Sequence, residues 1–323
     1  MSDTGNAAET GAPKKPHGER NVGASVFQRL RNRARANGDD IALTLIRYVG
    51  ERFLYRLSVS AHRDRFVLKG ATLFTIWQDK PHRATRDLDF MGSGDSSVDA
   101  MRRVVAEIAA IPCASDGVLF LADTLTVEER SEGRVYRGLH VEIGTALATA
   151  RPRVEIDIAF GEAVTPAPQE EYIPTLLPEL PAPTLRVYPR ETVVAEKCEA
   201  MVNLGIANTR MKDFYDLWYL SRMFAFDGQR LVDAVRATFI RRGTPLPPDG
   251  VPFALTDAFA SDDAKTKQWR QFLAKSDPGE GSAMQIRTFL TPCLIAAATG
   301  ATPFEKQWEA GGSWRENTPG SIL

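Results

Sequence analysis

The stretch Phe66-Val67-Leu68-Lys69-Gly70-Ala71-Thr72, followed after a short segment by Thr85-Arg86-Asp87-Leu88-Asp89-Phe90, decides how this chain is to be read. The pattern predicts a strand, a glycine turn, a helix of about two to three turns and a second strand. Residues two apart on a strand share a face. Asp87 and Asp89 therefore point one way, while Leu88 and Phe90 point into the core. Two such carboxylates, with Cα atoms about 6–7 Å apart, repel each other. At an effective dielectric of about 20, charges about 5 Å apart cost about 3 kcal/mol. A divalent cation offsets that cost.

A second acidic strand follows at Arg153-Val154-Glu155-Ile156-Asp157-Ile158-Ala159-Phe160. Val154, Ile156 and Ile158 share one face; Glu155 and Asp157 share the other. If the two strands lie in one sheet, Asp87, Asp89 and Asp157 surround one spot and are the candidate metal ligands. Hard oxygen donors suit Mg²⁺, which also takes ligands from substrate phosphates. Two metals about 3.5–4 Å apart are a common device for phosphoryl and nucleotidyl transfer. The plain alternative is a surface D-x-D strand whose acids pair with Lys69, Arg83 and Arg86.

The 323 residues are enough for two domains, or for one with a helical extension. A formal net charge of −1 means that bulk charge does not draw the chain to nucleic acid, so any such binding rests on local basic patches. Cys113, Cys198 and Cys293 are widely spaced and odd in number, which argues against a disulfide framework or a zinc site and fits a reducing compartment. No apolar run is long enough to cross a bilayer, and no secretory h-region opens the sequence. A cytoplasmic protein without a membrane partner is expected.

Residues 1–22 read as a disordered tail and 23–185 as a mixed α/β domain. Residues 186–310 read as a helical domain and 311–323 as a tail. The α/β part opens with helices over Ser25–Ala36 and from Asp39 or Asp40 to about Leu57. Another helix is expected at Val98–Ala109, and strands at Leu125–Arg130, Tyr136–Gly144 and Arg153–Phe160, the first two joined by a turn at Glu132-Gly133. The proline-rich run 166–183 reads as a linker or surface loop. Beyond it, helical periodicity recurs over Glu191–Gly205, Met211–Phe224, Gly228–Arg241, Asp262–Lys275 and Ala283–Ala298, so this half is expected to be essentially all-α.

The helical half adds two features. Lys197 lies in Ala195-Glu196-Lys197-Cys198-Glu199-Ala200-Met201, where a lysine between two glutamates is often a solvated surface residue. Arg210, Lys212, Asp213 and Asp216 crowd the start of the next helix. Acids there suit the helix dipole, whereas Arg210 and Lys212 oppose it. An anion offsets them, and the free N–H groups of a helix start favour phosphate; a salt bridge to the first domain is the other solution.

Together these residues resemble the AbiEii/AbiGii-type nucleotidyltransferase toxin family, which includes the MenT toxins. The resemblance runs from about Ala24 to Thr299 and is carried by Glu51–Ser58, Phe66–Thr72, residues 81–90, Val154–Phe160, Ala195–Met201 and Arg210–Leu217. It implies an α+β protein: a polymerase β-like nucleotidyltransferase mixed-sheet domain with a helical C-terminal region. It implies an enzyme that uses Mg²⁺ and an NTP, releases pyrophosphate and transfers a nucleotide to an acceptor. Several relatives modify the tRNA 3′ end and block translation, each with an antitoxin partner encoded beside it.

Carried over by position, Gly70 matches the nucleotide-side glycine, Asp87 and Asp89 the metal-binding pair, Asp157 the second-motif acid, Lys197 the third-motif lysine and Asp213 the fourth-motif aspartate. The catalytic set is then Asp87, Asp89, Asp157, Lys197 and Asp213. The nucleotide-binding set is Lys69, Gly70, Ala71, Thr72, Thr85, Arg210 and Lys212. The chain departs from the family in having Gly70-Ala71 where Gly-Gly or Gly-Ser is usual; Thr72 supplies a hydroxyl one position later. A phosphate on Thr85 would add negative charge beside the acids and silence the site; a turn-capping hydroxyl is the alternative. For an RNA acceptor, Arg29, Arg31, Arg33, Arg35, Arg241 and Arg242 are the phosphate contacts to expect. The same motifs also allow transfer to a protein side chain or small molecule, phosphorylation of a target, or a nucleotide-binding protein without activity.

Overall fold

The computed structural model describes residues 22–78, 85–132, 136–161, 164–275, 283–300 and 303–316. Helices α1 (Val22–Asn37) and α2 (Ile41–Ser58) precede β1 (Phe66–Lys69), a 3-10 turn at Gly70–Thr72, α3 (Leu73–Trp77) and β2 (Asp87–Gly92). Then come α4 (Val98–Ala109), β3 (Leu119–Glu132), β4 (Tyr136–Ala146), β5 (Arg153–Phe160), β6 (Gln169–Tyr172) and β7 (Thr184–Val187). The second half contains α5 (Arg190–Leu204), α6 (Met211–Met223), β8 (Phe226–Asp227), α7 (Gly228–Arg242), α8 (Asp257–Ala260), α9 (Asp263–Lys275), α10 (Ala283–Thr299), β9 (Lys306–Trp308) and β10 (Trp314–Glu316). Among the described residues no helix is long and apolar enough to cross a membrane.

The first half is built on a mixed sheet of order β3-β4-β5-β2-β1-β7-β6. β2 is antiparallel to β1 and parallel to β5. Alternation sorts its two faces. Leu88, Phe90, Val154, Ile156, Ile158, Leu139, Val141 and Ile143 are buried on one of them, and α2 and α4 pack against this part of the molecule. α2 starts where Asp40 accepts the amide of Leu43 at 2.8 Å, a cap worth about 0.5–2 kcal/mol. The opposite face carries the acids.

Several sequence expectations change. β3 begins at Leu119 rather than near Leu125, because a register shift between Leu121 and Thr126 lets the earlier residues pair with Gly144–Ala146. The irregular Ala122-Asp123-Thr124 segment hides this from a period-two search. The run 166–183 is not simply a loop over the surface: it contains β6, paired with β7, and Leu176, Leu177 and Leu180 are buried. Its backbone is served by side chains of α2, with Arg52 donating to the Pro181 carbonyl at 2.9 Å and the Leu176 amide donating to Glu51 at 2.6 Å. The helical half is not all-α either. β8, β9 and β10 form a small sheet around the fully buried Trp308, whose indole donates to the Ser221 carbonyl at 2.7 Å. Residues 314–316 of the expected tail thus belong to the fold. Val22, placed in the N-terminal tail by the sequence reading, opens α1. Residues 1–21, the turn residue Gly133 and residues 317–323 lie outside the described residues.

Arg56 on α2 is buried against Asp116, at 2.6 Å, and Asp116 also accepts the Val118 amide at 2.9 Å. Removing one member leaves the other charge buried and unpaired. Asp116→Ala is expected to lower unfolding free energy by about 3–5 kcal/mol in urea denaturation.

Candidate active site

Gly70 is required twice over. Its φ of +73° lies in the left-handed region that glycine tolerates. A Cβ on it would also stand 1.9 Å from Oδ2 of Asp89. The carboxylate of Asp89 therefore rests directly on the glycine turn. Ala71 is buried, so its methyl packs in the core. Thr72 and Thr85 face a cavity of about 290 Å³ that reaches Asp87 and is also lined by Arg33, Arg47 and Arg86.

The strand register assembles the acids. Lys69 stands opposite Asp89, Asp89 beside Asp157, and Asp87 beside Glu155. On the far side of β5, His140 stands opposite Asp157 and Glu142 opposite Glu155. The His140 ring meets Asp157 at 2.7 Å and Glu142 at 3.2 Å, and Arg130 reaches Asp157 at 3.4 Å. Burial pushes the Asp89 carboxyl above its usual range; Asp157 and Asp87 add to this, while Lys69 and Lys212 oppose it. Burial and the neighbouring Asp87 likewise raise Glu155. Burial pulls the His140 imidazole down, but its bonds to Asp157 and Glu142 outweigh this and hold it above the ordinary histidine value.

Crowded, desolvated carboxylates are the chemistry that a hard dication relieves. The donor set of Asp87, Asp89 and Asp157 fits Mg²⁺ in kind. Among the described residues no three histidine, cysteine or acidic side chains are arranged so that they could hold a metal ion, and Asp157 is engaged by His140.

The helical half supplies a second charge cluster. Lys197 is not solvated: its side chain is 14% exposed and its ammonium lies 2.7 Å from both Asp213 and Asp216. Burial pushes the Asp213 carboxyl up, yet Lys197 and Arg210 outweigh this and hold it below the usual carboxylate range. Arg210 meets Asp213 at 2.7 Å. Its charge at the helix start is thus compensated within α6 itself. Lys212 is different, since its charge acts on Asp89 across the two halves.

Of the arginines expected to face RNA, Arg241 meets Glu196 at 3.0 Å and Arg242 meets Glu199 at 2.5 Å. They are committed to buried acids. Arg29 pairs with Glu179. Arg31, Arg33 and Arg35 remain exposed on α1, and Arg83 lies outside the described residues. Sequence reasoning assigned no role to His140, Arg130, Glu155, Asp216 or Glu196. The alternation of β4 carried a signal for His140 and Glu142, because Leu139, Val141 and Ile143 claim the other face.

The candidate site is thus a set of strand acids above a glycine turn, together with the Lys197 cluster of the helical half. Residues 52–291 match the sequence model described as the nucleotidyl transferase AbiEii toxin of type IV toxin–antitoxin systems; the chain belongs to this family. Two solved structures from Helicobacter pylori are similar. One, assigned as a nucleotidyltransferase, shows 13% identity and a TM-score of 0.38, covering 77% of this chain and 92% of that one. The other, JHP933, shows 12% identity and a TM-score of 0.37, covering 77% and 90%. No curated protein gives a significant sequence match.

Two outcomes are expected. Gly70→Ala forces Asp89 off the turn, and a displacement of about 1 Å at a reacting centre costs about 100-fold in rate; steady-state nucleotide transfer checks it. Asp213 has a lowered native pKa, so it contributes stability that is present above its unfolded value of about 3.9 and lost as pH falls through the native value. Asp213→Asn should flatten the acid limb of the stability profile, measured by urea denaturation between about pH 2 and pH 6.

Proposed function

We propose that the protein is an Mg²⁺-dependent nucleotidyltransferase toxin that transfers a nucleotide from an NTP to the 3′ end of tRNA. The observation that carries this reading is the register of Asp89 with Asp157, and of Asp87 with Glu155, on one sheet face above Gly70. Asp87, Asp89 and Asp157 would hold the metal. When bound, it supplies positive charge to the phosphates and lowers the pKa of the attacking hydroxyl.

The chain's own groups do the rest. Ala71 and Thr72 offer an amide and a hydroxyl to the phosphates, and Lys69 and Lys212 bring charge. Lys197, oriented by Asp213 and Asp216, brings its positive charge to the nucleotide phosphates. Asp157, steadied by His140, takes the proton of the acceptor hydroxyl. The acceptor oxygen bonds to the α-phosphorus, the bond to the β-phosphate bridge breaks, and pyrophosphate leaves. Positioning and fixed charge supply most of the acceleration. Arg31, Arg33 and Arg35 give an RNA strand phosphate contacts. Family membership supports an antitoxin partner, and the proposed setting is the cytoplasm.

Incubation with α-labelled and γ-labelled NTPs, plus tRNA, total protein or small metabolites, tests the reading. Label from the α-phosphate on tRNA is expected, and Asp89→Asn should reduce it by at least about 1,000-fold, the scale at which removing a transition-state charge partner acts. Label on protein or metabolites alone would change the acceptor; γ-label on any of them would replace nucleotidyl by phosphoryl transfer.

A further inference from the structure

The cavity of about 290 Å³ beside Asp87 is walled by α1, α2, the turn after β1, the start of β2 and the segment 173–176. Arg33, Arg47 and Arg86 line it, and none of the three forms an ion pair among the described residues. Arg47 is half-buried on α2. Burial pushes its guanidinium below the ordinary arginine value; Asp39 opposes this, Arg33 adds to it and Glu51 opposes it. Like charges are thus held near each other in a place partly shut off from water.

The acids at the cavity do not answer them. Glu51 is engaged by Arg52 at 2.5 Å and by the Leu176 amide at 2.6 Å, and Asp87 belongs to the candidate metal set. Arg29 and Arg33, four residues apart, share a face of α1. Arg29 pairs with Glu179, which turns that face toward the 173–180 segment and leaves Arg33 at the cavity rim. Two hydroxyls are also free to donate. Thr75 and Thr175 give their protons to the carbonyls of Thr72 and Leu177, whereas the hydroxyls of Thr72 and Thr85 make no hydrogen bond among the described residues. A neutral metabolite leaves three guanidinium groups unmatched, and a single carboxylate matches one. A chain of phosphates matches them all, since guanidinium and phosphate pair through two parallel hydrogen bonds.

The sheet indicates which phosphates these are. β2 lies between β5 and β1. Asp157 stands on the β5 side of Asp89, and the cavity opens on the β1 side, through Thr72 and Thr75. In-line displacement puts the attacking and leaving oxygens on opposite sides of the phosphorus. With the acceptor hydroxyl at Asp157, the leaving group departs toward the cavity. None of Lys69, Lys197 and Lys212 lines it, so its arginines are a separate set of cations.

We propose that this cavity holds the β- and γ-phosphates of the NTP, with Arg47 and Arg86 gripping the terminal phosphate, Arg33 closing the rim, and Thr72 and Thr85 donating to the phosphate oxygens. This assignment, which rests on nucleotidyl transfer as proposed above, makes Arg47 a determinant of specificity for a triphosphate whatever the base. The acceptor oxygen bonds to the α-phosphorus and its proton passes to Asp157. The bond from the α-phosphorus to the α–β bridging oxygen breaks, the electron pair stays on that oxygen, and pyrophosphate is left among the arginines.

Phosphate binding is read on the full-length protein without Mg²⁺, by calorimetry with pyrophosphate, tripolyphosphate, AMP and CMP. Tripolyphosphate and pyrophosphate are expected to bind, and the monophosphates to bind about tenfold more weakly or worse. Arg47→Gln and Arg86→Gln should each weaken tripolyphosphate about tenfold, and Arg47→Lys, a point charge without the planar fork, should recover part of that loss. In steady-state transfer, Arg47→Gln is expected to raise KM for the NTP and to weaken inhibition by pyrophosphate, with kcat changed less. Tripolyphosphate affinity unchanged in both Gln variants, or no binding to the wild-type protein, overturns the assignment. So does an equal loss in Arg151→Gln, on the β4–β5 turn, or a short RNA that binds through Arg47 when tripolyphosphate does not. Arg47-dependent tripolyphosphate binding by a protein that moves no α-label supports the phosphate site and overturns only the transfer reading.

Discussion

The site depends on one contact: the carboxylate of Asp89 seated on the Cα of Gly70. Any side chain at position 70 would occupy that space. The contact ties the turn after β1 to the centre of β2, and strand pairing extends it to Asp157 on β5. Asp89 is left in a desolvated place beside two other acids, and its proton affinity rises accordingly. Folding alone does not favour such an arrangement. It holds because the hydrophobic residues alternating with the acids fix each strand's register, and a one-residue slip would turn every acid into the core.

Charge balance joins the two halves of the chain around that point. Lys69 and Lys212 both act on Asp89, one from β1 and the other from α6. Lys69 also acts on Glu196 of α5, where, with Arg242 and Arg241, it holds the carboxyl below its usual range against the effect of burial. Tyr188 donates to the same glutamate at 3.3 Å. Lys197 is confined between Asp213 and Asp216. Most cations near the site are thus already matched by acids. Buried ion pairs of this kind do little for net stability but fix geometry when every member has a partner.

Much of the architecture was legible from local pattern. The limits of α2, α4, α6 and β5 follow from apolar periodicity and from caps such as Asp40. Asp87, Asp89 and Asp157 were legible as facing acids because a strand has only two sides. The features that escaped depend on partners distant in sequence. β6 has no periodic signal, since its order comes from pairing with β7. β8, β9 and β10 are two or three residues each and exist because Trp308 is buried between elements. Arg241 and Arg242 read as phosphate contacts for an RNA acceptor, and only the packing of α5 against α7 brings Glu196 and Glu199 to them.

By itself the sequence determined which residue types lie on each side of each strand and helix, because the periods of two and 3.6 are covalent consequences of backbone geometry. It also determined that position 70 is a glycine free to take a positive φ. The tertiary structure alone decided that β2 lies parallel to β5 with Asp89 level with Asp157. It alone turned His140 onto that acid and set Lys197 between two aspartates. Strand order and interhelical contact are chosen by how whole surfaces pack and by which buried charges find opposite charges, and no local stretch of chain encodes either.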